Sequence, residues 1–113
     1  MGSDYKYAFA PIAVQDIDDT LDYISNTLLN PEAAESLYQK IFFTIEQNLK
    51  FPYGMPDCAL YGISDPRYRH MIVNNYVLFL RIDDTTKTLW IVRFLYSARN
   101  IEPPMLNEEH NAP

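Results

Sequence analysis

Every arginine of the chain, Arg67, Arg69, Arg81, Arg93 and Arg99, lies within one stretch in the second half of the sequence. A guanidinium stays charged at physiological pH and pairs a planar fork of donors with the oxygens of a phosphate or a carboxylate. This concentration is the main chemical signal in the sequence, and it admits two readings. Either the arginines form an anion-binding face, or they pair with some of the fifteen aspartates and glutamates, and a surface ion pair contributes only about 0–1 kcal/mol. Strand alternation sets Arg81 on the same face as Phe79 and Val77, and Arg93 on the same face as Ile91 and Leu95. For those two, pairing with helix acids at the sheet margin is the preferred reading.

Other reactive groups are few. His70 titrates in the useful range, but alternation puts it on the face opposite Arg69, so the two do not serve one phosphate. Cys58 is the single cysteine, which excludes an intramolecular disulfide. With no histidine close to it in sequence, it reads as an inert, half-buried thiol unless the fold brings one near. Asp16, Asp18, Asp19 and Asp22 cluster toward the N-terminal half of a helix, where the macrodipole favours anions, and read as a solvated face. Without Cys/His ligand spacing or a glycine-rich phosphate loop, no metal and no organic cofactor is expected.

Three strands must hold the arginines: residues 68–73, 76–83 and 88–97, rich in β-branched and aromatic side chains. Asn74-Asn75 suits a type I′ hairpin with positive φ at both residues, and residues 83–87 close a looser second hairpin. Upstream, residues 5–10 form a short first strand. Pro11 opens a helix in which Val14, Ile17, Leu21, Ile24 and Leu28 recur at spacings of 3, 4, 3 and 4, one helical face. At Asn30-Pro31-Glu32 the helix breaks and restarts, Asn30 capping and Pro31 taking the first position. The second helix is predicted over residues 31–50, with the stripe Ala34, Leu37, Ile41, Ile45 and Leu49 widened by Tyr38 and Phe42. So short a link gives an antiparallel hairpin, and only the sheet is available to bury its stripes. Residues 51–66, interrupted by prolines and glycines, form a long loop whose Tyr53, Met55, Leu60 and Tyr61 fold over the core edge.

The expected architecture is α+β: a small single domain in β-α-α-β-β-β order, with a helical hairpin packed on a mainly antiparallel twisted sheet. Local rules leave the position of the first strand open. The domain is expected over residues 5–101. Residues 1–4 are set aside, since Met-Gly-Ser is a common vector remnant, and residues 102–113, with His110, are expected as a flexible tail. A length of 113 residues with 48% hydrophobic and 14% aromatic content excludes wholesale disorder and a second domain. No run of about 18 apolar residues and no leader pattern occurs, so a soluble cytoplasmic protein without a membrane partner is expected. The net charge of −6 argues against strong non-specific nucleic-acid binding, which rests on neutralised phosphates.

An ordered series of short motifs resembles the RelE/ParE superfamily of toxins from bacterial type II toxin–antitoxin modules. It runs from Pro11-Ile12-Ala13 and Asp16-Ile17 through Asn30-Pro31-Glu32-Ala33-Ala34 to Phe51-Pro52-Tyr53-Gly54-Met55-Pro56. It continues with Arg69 before Val73, Asn75-Tyr76-Val77-Leu78-Phe79, Arg81-Ile82, and Ile91-Val92-Arg93 leading into Tyr96-Ser97-Ala98-Arg99-Asn100. The chain departs from the pattern at Leu80, where many relatives carry an aromatic. It departs again at the last strand's end, where many read His-Gly-Xaa-Arg-Asp.

The resemblance implies a toxin neutralised by a cognate antitoxin that wraps a disordered segment onto an apolar groove beside the helix hairpin. Some members of the superfamily cleave messenger RNA in the ribosomal A site, and others inhibit DNA gyrase. Cleavage requires a 2′-OH to lose a proton, the pentacoordinate phosphate to be stabilised and the leaving oxygen to gain a proton. By position, Arg69 and Arg99 are carried over as the phosphate-stabilising pair. Tyr96 stands where relatives often have histidine and is the acid–base candidate, with packing at the sheet end as the plain alternative. The expectation is ribosome-dependent mRNA cleavage. The alternative is a non-enzymatic gyrase inhibitor or a toxin-like binding module, which the acidic balance and the altered strand end favour.

Overall fold

The computed structural model describes residues 4–106. β1 (Lys6–Phe9) leads into α1 (Pro11–Asp22), which loosens into a π-helical turn at Tyr23–Thr27. α2 (Pro31–Glu46) follows, then short 3-10 turns at Pro52–Gly54 and Ala59–Tyr61. β2 (Tyr68–Val73), β3 (Tyr76–Asp83) and β4 (Thr88–Tyr96) complete the sheet, and Pro103–Leu106 forms a last 3-10 turn. The sheet order is β1-β4-β3-β2. β1 runs parallel to β4, and the other pairs are antiparallel. A parallel neighbour requires a long crossover, and here both helices and two strands intervene between β1 and β4. The expected element order, the helix hairpin and the mainly antiparallel sheet are all present, and the first strand's place is beside the last.

Capping explains the restart at α2: Asn30 Oδ1 accepts from the Ala33 N–H at 3.1 Å, and Pro31 fills the first helical position. The end of α1 differs from a continued helix. Leu28 N–H donates to Tyr23 O, Asn30 N–H donates to Ile24 O, and Leu29 closes the turn at φ 55°. This widening rotates the stripe by about one residue. Leu28, past the widened turn, is 55% exposed; before it Ile17 is buried, while Val14 is 44% exposed.

The sheet is covered on both faces. Ala13, Ile17, Leu37, Ile41 and Ile45 of the helices pack on Leu78, Leu80, Ile82, Leu89, Ile91 and Phe94. On the opposite face, Val77, Phe79, Val92 and Leu95 pack with Cys58 and Leu106. Residues 102–106, expected as the start of a flexible tail, therefore strap this second face, and Leu106 is 1% exposed. The cause lies in the strands: Val77-Leu78-Phe79-Leu80 is apolar on both sides, the pattern of a doubly covered strand, and the helices cover only one. Residues 1–3 and 107–113, including His110, lie outside the described residues.

A bulge also alters the alternation in β4. Phe79 pairs with Arg93 while Leu80 pairs with Ile91, leaving Val92 as the extra residue. Ile91 and Leu95 consequently face opposite sides, and the shared face expected for Ile91, Arg93 and Leu95 does not exist. At Asn74-Asn75, only Asn74 has a positive φ, 54°, so the turn is not the type I′ expected.

Candidate functional site

Arg69 sits on β2 opposite Leu80, which in turn pairs with Ile91 of β4. Its guanidinium is turned outward onto the loop beside β2. Nε donates to Pro66 O at 2.8 Å, and Nη1 donates to Met55 O at 2.8 Å and Tyr53 O at 3.2 Å. Its Cζ also lies 5.0 Å from the centroid of the Tyr53 ring, within cation–π range. Backbone contacts follow the same seam: His70 N–H donates to Pro56 O, and Asp57 bridges to Arg69. Arg69 thus clasps the loop against the edge of the sheet. The clasp continues through Tyr53 OH to Asp84 Oδ2 at 2.7 Å and from Tyr5 OH to Asp84 Oδ1 at 2.7 Å. The hydrogen bond to Asp84 is the chief cause that pushes the Tyr5 hydroxyl up to about 12, and it holds the Asp84 carboxyl below its usual range.

Arg99 and Tyr96 lie at the other end of the sheet. Tyr96 pairs with Tyr76, which pairs with Val73 at the tip of the β2–β3 hairpin. From the level of Arg69, at Leu80, four positions along β3 lead to Tyr76, the level of Tyr96, roughly 13 Å at 3.3 Å per residue. Arg99 is farther on, its N–H donating to Tyr96 O at 3.0 Å. Its side chain is exposed and makes no hydrogen bond among the described residues. Tyr96 is 51% exposed and packs edge-on against Tyr76 at 5.7 Å, while Tyr76 stacks on Phe94. One backbone turn holds Tyr96 and Arg99 at this end of the sheet, and Arg69 stands apart from them.

Arg93 is held internally. Its Nε and Nη2 donate to the two oxygens of Asp16 at 2.7 and 3.0 Å, and its Nη1 donates to Met105 O at 2.9 Å. Asp16 also accepts from the Phe94 N–H at 3.0 Å, completing the edge of β4 beyond the end of β1. The pairing expected for Arg93 with a helix acid is present and joins α1, β4 and the strap. Arg81 faces Tyr68 and Trp90 across the sheet, and Arg67 pairs with Asp65 at 2.7 Å on the surface.

The fold does bring a histidine to the cysteine: Cys58 Sγ lies 4.0 Å from His70 Nδ1. His70 packs on the rings of Tyr61 and Phe79, on the face opposite Arg69. Burial pushes the His70 imidazole down and the Cys58 thiol up to about 11. At neutral pH this is a buried thiol beside a neutral imidazole, with no thiolate nucleophile. Among the described residues, no group of three or more His, Cys, Asp or Glu side chains is arranged to hold a metal ion.

The helix hairpin carries the open surface. Between α1 and α2 lies a groove of about 720 Å³ lined by Asp18, Asp19, Asp22 and Glu35 along with Leu21, Ser25, Pro31, Ala34 and Tyr38. Toward β1 it meets a mainly apolar notch formed by Phe9, Val14, Ile17, Tyr38 and Phe42, with Asp18 at its border. An apolar landing groove was expected from the resemblance; the structure adds that its far half is acidic. The acids were visible in the sequence as a solvated face, but only the packing of the two helices sets Glu35 beside Asp18, Asp19 and Asp22. Among the described residues, no helix is long and apolar enough to cross a membrane.

Comparisons with known proteins agree with this architecture. The family described as ParE toxin of type II toxin-antitoxin system, parDE, matches residues 7–101. No curated protein matches the sequence. Among solved structures, the chromosomal ParDE system from P. aeruginosa is similar with a TM-score of 0.65 and 16% identity, covering 84% of this chain and 98% of that one. The toxin–antitoxin complex RelBE2 from Mycobacterium tuberculosis gives 0.55 and 18%, covering 82% and 98%. At such identities the two structures speak for the shared fold, a helix hairpin on a four-stranded sheet. With the family match spanning most of its length, this chain belongs to the ParE toxin family of type II toxin–antitoxin systems.

Proposed function

We propose that this protein is a growth-inhibiting toxin of the bacterial cytoplasm, silenced by an antitoxin seated in the groove between α1 and α2. It acts by binding its target, with DNA gyrase as the target class, and not by cutting RNA. The observation that carries this reading is the position of Arg69: its guanidinium holds three loop carbonyls at the opposite end of the sheet from Tyr96 and Arg99. A phosphoryl-transfer site needs its charge-stabilising donors to converge on one phosphate, and these do not. The acidic balance of the chain supports the same reading, because entry into an RNA site rewards a basic surface. Ribosome-dependent cleavage retains one supporting feature, the exposed Arg99 next to the exposed Tyr96.

Induced expression in a bacterial host tests the proposal. Growth arrest relieved by co-expression of the protein encoded beside this gene, with supercoiling by purified gyrase inhibited, is the expected result. Failure of that neighbour to bind, or arrest with gyrase activity untouched, overturns it.

A further inference from the structure

The groove between the helices has two chemically different ends. Near β1 its wall is Val14 and Phe42, with Val14 44% exposed. Near the helix turn it presents Asp22 and Glu35, Asp18 lines both parts where they meet, and no lysine or arginine lines either. Like charges confined in one groove repel one another, and a cationic occupant relieves that repulsion. The lining positions of α2 run from Pro31 to Phe42, about 17 Å or three turns at 1.5 Å per residue. A cleft between two antiparallel helices is shaped for a third helix, read through anchors spaced three or four residues apart.

Resting on the toxin reading above, we propose that the antitoxin segment filling this groove is a cationic amphipathic helix of about three turns. Its apolar anchors meet Val14 and Phe42, and its lysines or arginines lie opposite Asp18, one turn from Val14, and opposite Asp22 and Glu35, about two turns away. Other occupants carry the wrong charge. A second copy of this chain brings a net charge of −6. Residues 107–113 bring Glu108 and Glu109 and neither lysine nor arginine.

The test uses two labelled helical peptides sharing one leucine stripe and differing only in matched lysines or glutamates, titrated into the full chain by fluorescence anisotropy. The lysine peptide is expected to bind about tenfold more tightly at low salt, a modest gain per exposed pair summed over several pairs. The preference shrinks toward unity at about 0.5 M NaCl. It disappears in the combined variant Asp18→Asn, Asp19→Asn, Asp22→Asn, Glu35→Gln, whose four sites are exposed helix positions. Val14→Asp weakens both peptides. Equal binding of the two peptides, a preference that survives neutralisation, or binding of neither overturns the proposal. Growth arrest is read separately, so a chain that prefers the lysine peptide but arrests nothing fails the toxin reading alone.

Discussion

Replacing Asp16 with alanine removes three hydrogen bonds at one point, two from Arg93 and one from the Phe94 N–H. The paired side chains are only 12% and 13% exposed, so water does not readily replace the lost partner. Removing one member of a buried pair costs about 3–5 kcal/mol, because the survivor is left desolvated. Arg93 keeps Met105 O as an acceptor, which places the loss near the lower figure, about 3 kcal/mol. The orphaned N–H of Phe94 adds about 1 kcal/mol. A total of about 4 kcal/mol is a large share of the roughly 5–15 kcal/mol that holds a small domain together. The corresponding fall in Tm is on the order of 15 °C. Trp90, the single tryptophan, sits on the same strand and reports urea unfolding by fluorescence. Asp16→Asn keeps an acceptor for Phe94 and is expected to lose about half as much. Asp16→Ala within about 0.5 kcal/mol of the parent protein, the range of an ordinary surface change, refutes the claim that this pair fastens α1 and the strap to β4.

Two further outcomes follow from the same physical reasoning. Leu106→Ala is expected to cost about 2–4 kcal/mol in urea unfolding, as for a leucine removed from a closed core; a loss under about 1 kcal/mol means the strap does not contribute. The folded value of Tyr5 is raised from 10.0 to about 12, so its contribution is intact below pH 10 and lost between pH 10 and about 12. Asp84 is shifted the other way, so its contribution is present above the ordinary carboxylate range and lost as pH falls below it. Urea midpoints followed against pH should lose part of their alkaline fall in Tyr5→Phe, Tyr7, Tyr53 and Tyr76 being raised as well, and part of their acid fall in Asp84→Asn; unchanged profiles contradict the Tyr5–Asp84 bond.

Much of the fold was legible because its signals are local. The Asn30-Pro31-Glu32 restart, the 3-and-4 spacing in both helices and the β-branched runs each act within a few residues. What escaped was set by partners distant in sequence. The bulge at Val92 follows from pairing with Phe79 and Leu80, and it turned the face inferred for Arg93. The strap followed from four consecutive apolar residues, Val77 to Leu80, which ask for cover on both sides. The chemical site was the least legible. Arg69 and Arg99 share a residue type and a sheet, but a type does not say which end of the sheet it occupies. Nor does it reveal that loop carbonyls at Tyr53, Met55 and Pro66 already accept from one of them.

The most direct test is primer extension on a message under translation in a bacterial extract, with the purified protein and with Arg69→Ala, Arg99→Ala and the double variant. Binding without cleavage predicts no new ends between A-site codon positions at concentrations that arrest growth, in any of the four proteins. A-site cuts by the parent protein that vanish in Arg99→Ala or in the double variant would contradict it and return these residues to a catalytic role.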